Sequence, residues 1–218
     1  MFHLLTKIDD GYTLTSAGYV VTAGLFLLIL AAASIFNKQD RHRIKTKPLI
    51  FCAMSVALAT VTSMIKLYAF PFGGSVTLLS MLFICLPGYF YGVRTGILAA
   101  AAYGILQFMI EPIIYYPIQP IVDYLLAFGV MGISGLFWKA KNGLIKGYLV
   151  AVLGRYFFLV LSGWIFFGAY AWEGWHPLPY SLAYNGAYVF TEAALTLVIL
   201  AIPAVKNGLE QIRRFSEV

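Results

Sequence analysis

Charged residues are scarce in this sequence, since only 11% of its 218 residues are Asp, Glu, Lys or Arg. A typical soluble domain contains about 25% charged residues, which help to keep its surface hydrated. Hydrophobic residues instead make up 61% of this chain. The composition excludes an ordinary soluble globular domain, a disordered chain and a disulfide-rich secreted module. It indicates an integral membrane protein.

The sequence also lacks the motifs of common catalytic centres. It contains no HExxH, GxSxG, P-loop or CxxC pattern, and its two cysteines, Cys52 and Cys85, lie far apart in apolar stretches. We expect both cysteines to be packing residues without a metal or a disulfide. Without a nucleotide-binding motif, uphill transport of a solute by this chain requires another subunit or an ion gradient.

Seven apolar segments separated by basic or turn-forming residues predict an all-helical membrane protein. Apolar runs of about 18 residues or more cross a hydrocarbon core of roughly 30 Å, whereas barrel strands are shorter and alternate. The segments cover approximately residues 17–36, 48–68, 75–92, 95–110, 119–138, 145–170 and 180–205. Turns are expected at 71–74 and after Glu111, where proline and glycine interrupt the apolar pattern.

Basic residues are concentrated in alternate loops, which predicts the orientation of the chain. Most of the 15 Lys and Arg residues lie in the loops 37–47 and 139–146, at Arg94 and in the C-terminal tail. Because Lys and Arg collect on the cytoplasmic side, we expect a multi-pass cell-membrane protein with a cytoplasmic C-terminus and an outside N-terminus. The net charge of +6 has the same explanation and does not indicate nucleic-acid binding. We expect segment 17–36 to be a retained helix rather than a cleaved signal.

Polar residues near the predicted outer helix ends are candidates for a ligand pocket, because polar groups are costly in lipid. They are Glu111, Asp123, Tyr124, Trp172, Trp175, His176, Tyr180 and Asn185. Asp123 is the strongest candidate, since a carboxylate four residues inside a span needs a cation, a donor or a water-filled cavity. The two tryptophans also fit an interfacial aromatic belt, and Glu111, Glu173 and His176 also fit ordinary loop residues.

Two further features lie deeper in the predicted helices. Arg155 and Glu192 lie about ten and twelve residues into their segments, and a structural ion pair between them is one explanation for their depth. In the second segment, Ala53 and Ala57 are four residues apart and share one helix face, and Ala59 follows. Small residues at this spacing allow a second helix to approach closely.

Four stretches of sequence carry a more specific pattern. They are 53–59 (AMSVALA); 73–75 (GGS) with 86–87 (LP) and 93–96 (VRTG); 123–125 (DYL) with 132–137 (GISGLF); and 155–158 (RYFF) with 170–175 (YAWEGW) and 180–186 (YSLAYNG). The last of these is the longest and the most specific. Together they make the region from about residue 48 to 206 resemble the thiamine-specific substrate-binding subunit (S component, ThiT family) of energy-coupling factor (ECF) vitamin transporters.

This resemblance implies an all-α integral membrane protein with a six-helix S-component core that binds a vitamin near its outer face. The chain then divides into an extra N-terminal transmembrane helix and basic loop (1–47), the substrate-binding core (48–206) and a cytoplasmic tail (207–218). The resemblance also implies docking through Ala53, Ala57 and Ala59 onto a membrane coupling subunit that two ATPases energise. ATP hydrolysis then takes place in the partner subunits, and this chain needs no cofactor.

The resemblance also assigns ligand contacts. Asp123 stands where the family has a glutamate that meets the cationic ligand, and Tyr103 stands where the family has a tryptophan. Tyr124, Tyr180 and Asn185 match family residues directly. A carboxylate and aromatic faces attract the permanent positive charge of thiamine, and an amide both donates to and accepts from a pyrimidine edge. The predicted substrate-binding set is Tyr103, Asp123, Tyr124, Leu159, Phe167, Trp172, Tyr180 and Asn185.

The chain departs from the family at positions that help to form the thiamine pocket. Leu159 stands where the family has a histidine, Phe167 stands where it has a tryptophan, and a loop tryptophan has no counterpart near 73–74. The ligand is therefore thiamine, a thiamine precursor or another vitamin.

Two other classes of protein stay open. A small intramembrane enzyme acting on lipid or isoprenoid needs a carboxylate pair or a metal site, and a structural membrane protein uses its aromatic residues only as a belt.

Overall fold

The structure, a computed structural model, describes residues 4–8, 11–36 and 46–217 and is mostly helical. The described residues form eight helices, which are α1 (Ser16–Phe36), α2 (Thr46–Ser63), α3 (Ser80–Tyr91), α4 (Val93–Ile110), α5 (Ile121–Phe137), α6 (Gly143–Phe166), α7 (Pro177–Leu200) and α8 (Pro203–Glu217). Two antiparallel hairpins accompany them, formed by β1 (Leu5–Ile8) with β2 (Gly11–Leu14) and by β3 (Lys66–Ala69) with β4 (Ser75–Thr77).

Three helices of the described residues are both long and apolar enough to cross a membrane, namely α4, α6 and α7. They contain 18, 24 and 24 residues, which at a rise of 1.5 Å per residue correspond to lengths of about 27 to 36 Å. Helices α2, α3 and α5 are shorter apolar helices. This architecture agrees with the prediction of a helical membrane protein.

Helix α5 is irregular, and its glycines explain how closely it packs on α4. It begins with a π-helical turn at Ile121–Leu126 and ends with a 3₁₀ segment at Val130–Phe137. A Cβ atom on Gly132 would lie 2.1 Å from the backbone nitrogen of Ile97. On the facing helix, a Cβ atom on Gly104 would lie 2.1 Å from the Tyr124 carbonyl oxygen. Only glycine permits this backbone contact, which holds the start of α5 against the last turns of α4.

The connection between α2 and α3 is a hairpin rather than a continuation of two helices. The predicted segment 48–68 ends as a helix at Ser63, and the predicted segment 75–92 begins as strand β4. The expected turn at 71–74 is present as a 3₁₀ turn at Pro71–Gly73. Tyr184 of α7 holds this turn, because its hydroxyl donates to the Pro71 carbonyl oxygen and accepts from the Gly74 amide at 3.2 Å.

Two further elements were not predicted from the sequence. The β1–β2 hairpin precedes α1 and contacts the α4–α5 connection, where the Tyr12 amide donates to the Ile114 carbonyl oxygen at 2.7 Å. Helix α8 covers most of the stretch that was assigned to a tail. Segment 17–36 forms helix α1 as expected. The basic residues of 37–45 and the acidic pair at 9–10 lie outside the described residues.

Arg155 and Glu192 do not form the ion pair that was one explanation for their depth. Glu192, which is 3% exposed, accepts hydrogen bonds from the Thr77 amide at 3.0 Å, the Thr77 hydroxyl at 2.7 Å, the Ser80 hydroxyl at 3.1 Å and the Met81 amide at 3.0 Å. These donors lie at the N-terminus of α3, where the helix dipole favours a negative charge. The Arg155 guanidinium lies 4.3 Å from the centre of the Phe128 ring instead.

The three alanines assigned to partner docking do not share one surface. Ala53 and Ala57 are exposed on α2, whereas Ala59 is 0% exposed and belongs to the hydrophobic core. Successive side chains of an α-helix are rotated by about 100° around the helix axis. The side chain of Ala59 is therefore roughly 200° around the axis from that of Ala57. Ala59 therefore does not belong to the exposed alanine face, contrary to the expectation from the sequence.

Candidate ligand-binding cavity

A cavity lies at the end of the bundle where α4 and α6 end and α7 begins, and the hairpin turn at Pro71–Gly73 borders it. Its volume of about 130 Å³ is roughly ten times the space that one water molecule needs. Seven of the eight residues predicted to bind substrate line it, namely Tyr103, Asp123, Tyr124, Leu159, Phe167, Tyr180 and Asn185. Residues from four helices therefore meet at one site.

Trp172 is the predicted residue that does not line the cavity. It is 52% exposed and packs on Trp175, with ring centres 5.0 Å apart, and on Tyr180, with ring centres 5.2 Å apart. Tyr180 lines the cavity, so Trp172 is separated from it by one ring. The pair of tryptophans forms an exposed aromatic patch beside the cavity, as the belt interpretation also described.

Asp123 faces the cavity from the π-helical first turn of α5. Its carboxylate accepts a hydrogen bond from the Gln119 side-chain amide at 2.8 Å. Gln119 is itself 1% exposed, and its carbonyl oxygen accepts from the Tyr115 amide at 2.8 Å, which fixes its orientation. The described residues provide no ion-pair partner for Asp123, since the ion pair they contain joins Lys66 to Glu111. Asp123 is thus a carboxylate held in place beside an open space.

The hydroxyl group of Tyr124 is used within the protein. It donates to the Glu111 carbonyl oxygen at 2.7 Å and accepts from the Ile113 amide at 3.1 Å. These bonds shape the turn that follows α4, so the ring face of Tyr124 is the part available to a ligand. Tyr103 behaves similarly, because its hydroxyl donates to the Gln107 side chain at 3.2 Å and its ring packs edge-on against Phe128.

The Asn185 amide joins α7 to α6. Its nitrogen donates to the Leu159 carbonyl oxygen at 3.2 Å and to the Ser181 carbonyl oxygen and hydroxyl at 3.0 and 3.1 Å. Its oxygen accepts from the Tyr188 hydroxyl at 2.6 Å. The amide that the sequence suggested for a pyrimidine edge therefore already has donors and an acceptor in the protein. A ligand that bonds to Asn185 must share or replace these partners.

Aromatic rings form the wall of the cavity nearest the hairpin turn. Phe72 and Phe167 line the cavity there. They form a cluster with Tyr115 and Tyr170, which are not lining residues, and the ring centres of the cluster are 4.6 to 6.5 Å apart. Phe72 is placed there by a left-handed backbone conformation with φ of 61°, which is unusual for a bulky residue. The fixed turn therefore presents an aromatic face to the cavity, and such faces attract organic cations.

Several lining residues were missed at the sequence level, although spacing could have identified some of them. Gln119 precedes Asp123 by four residues, and Tyr184 and Tyr188 follow Tyr180 by four and eight residues, so each set shares a helix face. Ser162, Gln107 and Arg155 line the cavity as well. For Arg155 the sequence offered a structural ion pair as one explanation, and its place in the cavity wall depends on a helix packing that the sequence does not reveal.

Comparisons with known proteins show the family of the chain. The family described as thiamine transporter protein matches residues 49–210 of the chain. The chain belongs to this thiamine transporter family. It is 33% identical over 167 residues to the thiamine transporter ThiT of Bacillus subtilis, covering 70% of this chain and 85% of the relative. It is also 30% identical over 131 residues to the thiamine transporter ThiT of Lacticaseibacillus paracasei, and this match covers 50% of this chain and 65% of the relative.

A solved structure of ThiT from Listeria monocytogenes has the same fold. It superposes with a TM-score of 0.65 at 29% identity, covering 73% of this chain and 93% of that one. The match to the thiamine transporter family begins at residue 49, so the β1–β2 hairpin and helix α1 precede the region shared with the family.

Proposed function

We propose that this chain is the thiamine-binding subunit of an ECF-type importer. It binds thiamine in the cavity near the extracellular side and delivers it by docking to a coupling module. The observation that most supports this proposal is Asp123. Its carboxylate lines a cavity that aromatic rings also line, it has no ion-pair partner among the described residues, and the chain belongs to the thiamine transporter family. The protein is a transport subunit rather than an enzyme.

The chemistry of the cavity suits a flat organic cation. Thiamine has a permanently charged thiazolium ring, and Asp123 offsets that charge across a short distance. Each aromatic face that meets the ring adds about 0.5 to 2 kcal/mol. The other two lining carboxylates are already occupied, since Glu111 pairs with Lys66 and Glu192 accepts four hydrogen bonds. Asp123 is therefore the carboxylate assigned to the ligand charge.

The proposed topology places the cavity outside and the basic loops in the cytoplasm. Lys139, Lys141 and Lys146 flank the start of α6, whereas the cavity lies at its other end. With Lys and Arg on the cytoplasmic side, the N-terminus is outside and the C-terminus is inside the cell. The core 48–206 then has six helices that cross or enter the membrane, α1 of segment 1–47 is an extra span, and 207–218 belongs to a cytoplasmic extension.

The proposed partner is an ECF coupling subunit with its two ATPases, which supply the energy that this chain lacks. The exposed Ala53 and Ala57 form the proposed docking surface on α2. Two small side chains one turn apart allow a partner helix to approach α2 closely. Ala59 is excluded from this surface by its burial.

A second ligand assignment follows from Leu159. Its apolar side chain lines the cavity at the position where the family resemblance gives a histidine, so this pocket has one polar contact fewer. A thiamine precursor or another vitamin with an apolar group at this point is the alternative ligand.

A titration of the detergent-purified chain with thiamine, followed by tryptophan fluorescence, distinguishes thiamine from the alternative ligands. The separate pyrimidine and thiazole halves of thiamine are titrated in parallel. Saturable binding of thiamine, tighter than that of either half, supports the proposal, and binding of neither thiamine nor its halves refutes it.

A further inference from the structure

A second cleft lies at the opposite end of the bundle from the ligand cavity. It has a volume of about 480 Å³ and is formed by the start of α6, the end of α7 and helix α8. The cleft is lined by four basic side chains, namely Lys141, Lys206, Arg213 and Arg214, and by the acidic side chain of Glu210. The excess of positive charge suits an anion.

One of these arginines is fixed in the wall of the cleft. The Arg213 guanidinium donates to the Tyr89 hydroxyl at 3.2 Å and lies 4.8 Å from the centre of the Tyr89 ring. Tyr89 is buried in the core, so this contact anchors α8 to α3. Lys141, Lys206 and Arg214 are exposed around the same space, and their charges are available to a bound anion.

Helix α8, which lines this cleft, has the residue pattern of an interfacial helix. Its apolar residues recur every three or four positions, and Val205 and Leu209 pack against the core. The stripe continues beyond the core to Ile212, which is 41% exposed, and Phe215, which is 72% exposed. An amphipathic helix with basic residues beside an apolar stripe lies in the membrane interface, with its apolar side in the acyl region.

We propose that this cleft binds the phosphate headgroup of an anionic phospholipid, with α8 lying in the interface and Ile212 and Phe215 contacting the acyl chains. Basic clefts between helices on the cytoplasmic side recognise anionic headgroups through the same charge complementarity. An uncharged or zwitterionic headgroup lacks the net negative charge that Lys141, Lys206 and Arg214 require. A bound lipid would hold α8 and the start of α6 together at the basic end of the bundle.

The test is native mass spectrometry of the full chain released from detergent after equilibration with equal amounts of dioleoyl phosphatidylglycerol and dioleoyl phosphatidylcholine. Lys206→Gln/Arg214→Gln removes two charges from the cleft, and Lys146→Gln/Arg94→Gln removes two exposed charges outside its lining. Each basic residue near an anionic surface contributes a factor of about five in affinity, so the cleft variant should retain phosphatidylglycerol roughly 25-fold less well. The control variant should match the unmodified chain.

Three outcomes would overturn the proposal. The first is equal retention of the two lipids by the unmodified chain. The second is an equal loss of phosphatidylglycerol from the cleft and control variants, because this shows an unspecific effect of surface charge. The third is displacement of the lipid by inorganic phosphate added alone, because this identifies a site for free phosphate rather than for a lipid headgroup.

Discussion

Replacement of Asp123 by asparagine removes the charge of the cavity carboxylate while keeping its shape. The asparagine oxygen still accepts the hydrogen bond from Gln119, which is 2.8 Å long in the structure, so the start of α5 should keep its conformation. Two unit charges 4 Å apart attract each other by about 1 kcal/mol in water and about 4 kcal/mol near a protein surface. For a half-buried carboxylate that lines a cavity, we expect a loss of about 2 kcal/mol, which is roughly a 30-fold increase in the Kd for thiamine.

The assay is isothermal titration calorimetry of the purified Asp123→Asn variant with thiamine and with its uncharged pyrimidine half. Glu173→Gln is the matched control, because Glu173 is an exposed acid in the loop before α7 and does not line the cavity. The control should bind thiamine like the unmodified chain. The reasoning is refuted if Asp123→Asn leaves thiamine affinity unchanged, or if it weakens the uncharged half as much as thiamine.

Three further substitutions test other parts of the account. Ala57→Trp should abolish co-purification with a coupling subunit and leave thiamine binding intact, and a complex that survives would exclude this face of α2 as the docking surface. Tyr124→Phe removes two hydrogen bonds of the turn after α4 and should lower the free energy of unfolding by about 1 to 3 kcal/mol. The measurement is the midpoint of thermal unfolding, which should fall, and an unchanged midpoint would contradict the role of the hydroxyl. Leu159→His should tighten thiamine binding in the same calorimetric assay, and weaker binding would show that the apolar wall suits this ligand better.

Much of the helical architecture was predictable because long apolar runs have one stable arrangement in a membrane. The positions of α1, α4, α6 and α7 follow the hydropathy pattern within a few residues. The β3–β4 hairpin was missed, because its strands Lys66–Ala69 and Ser75–Thr77 are only four and three residues long, which is too short for an alternating pattern to be recognised. Helix α8 was assigned to a tail because its charges interrupt the hydropathy pattern, although its apolar residues keep a helical spacing.

The candidate site was predictable to the extent that residue type and spacing define it. Asp123 was conspicuous because a carboxylate within an apolar segment is costly. The partners of Glu192 were not predictable, because they lie more than 110 residues earlier in the chain and meet it only after α3 packs against α7. The same limit explains why the sequence left the pairing of Arg155 with Glu192 open and why Ala59 was placed on the exposed face of α2.

A crystal structure of the chain with thiamine bound would show directly whether the cavity is the thiamine site. We expect thiamine to occupy the cavity, with its thiazolium ring in contact with the Asp123 carboxylate and against the lining rings of Phe72 and Phe167. Thiamine bound elsewhere on the chain, or bound in the cavity with its charged ring directed away from Asp123, would contradict the account.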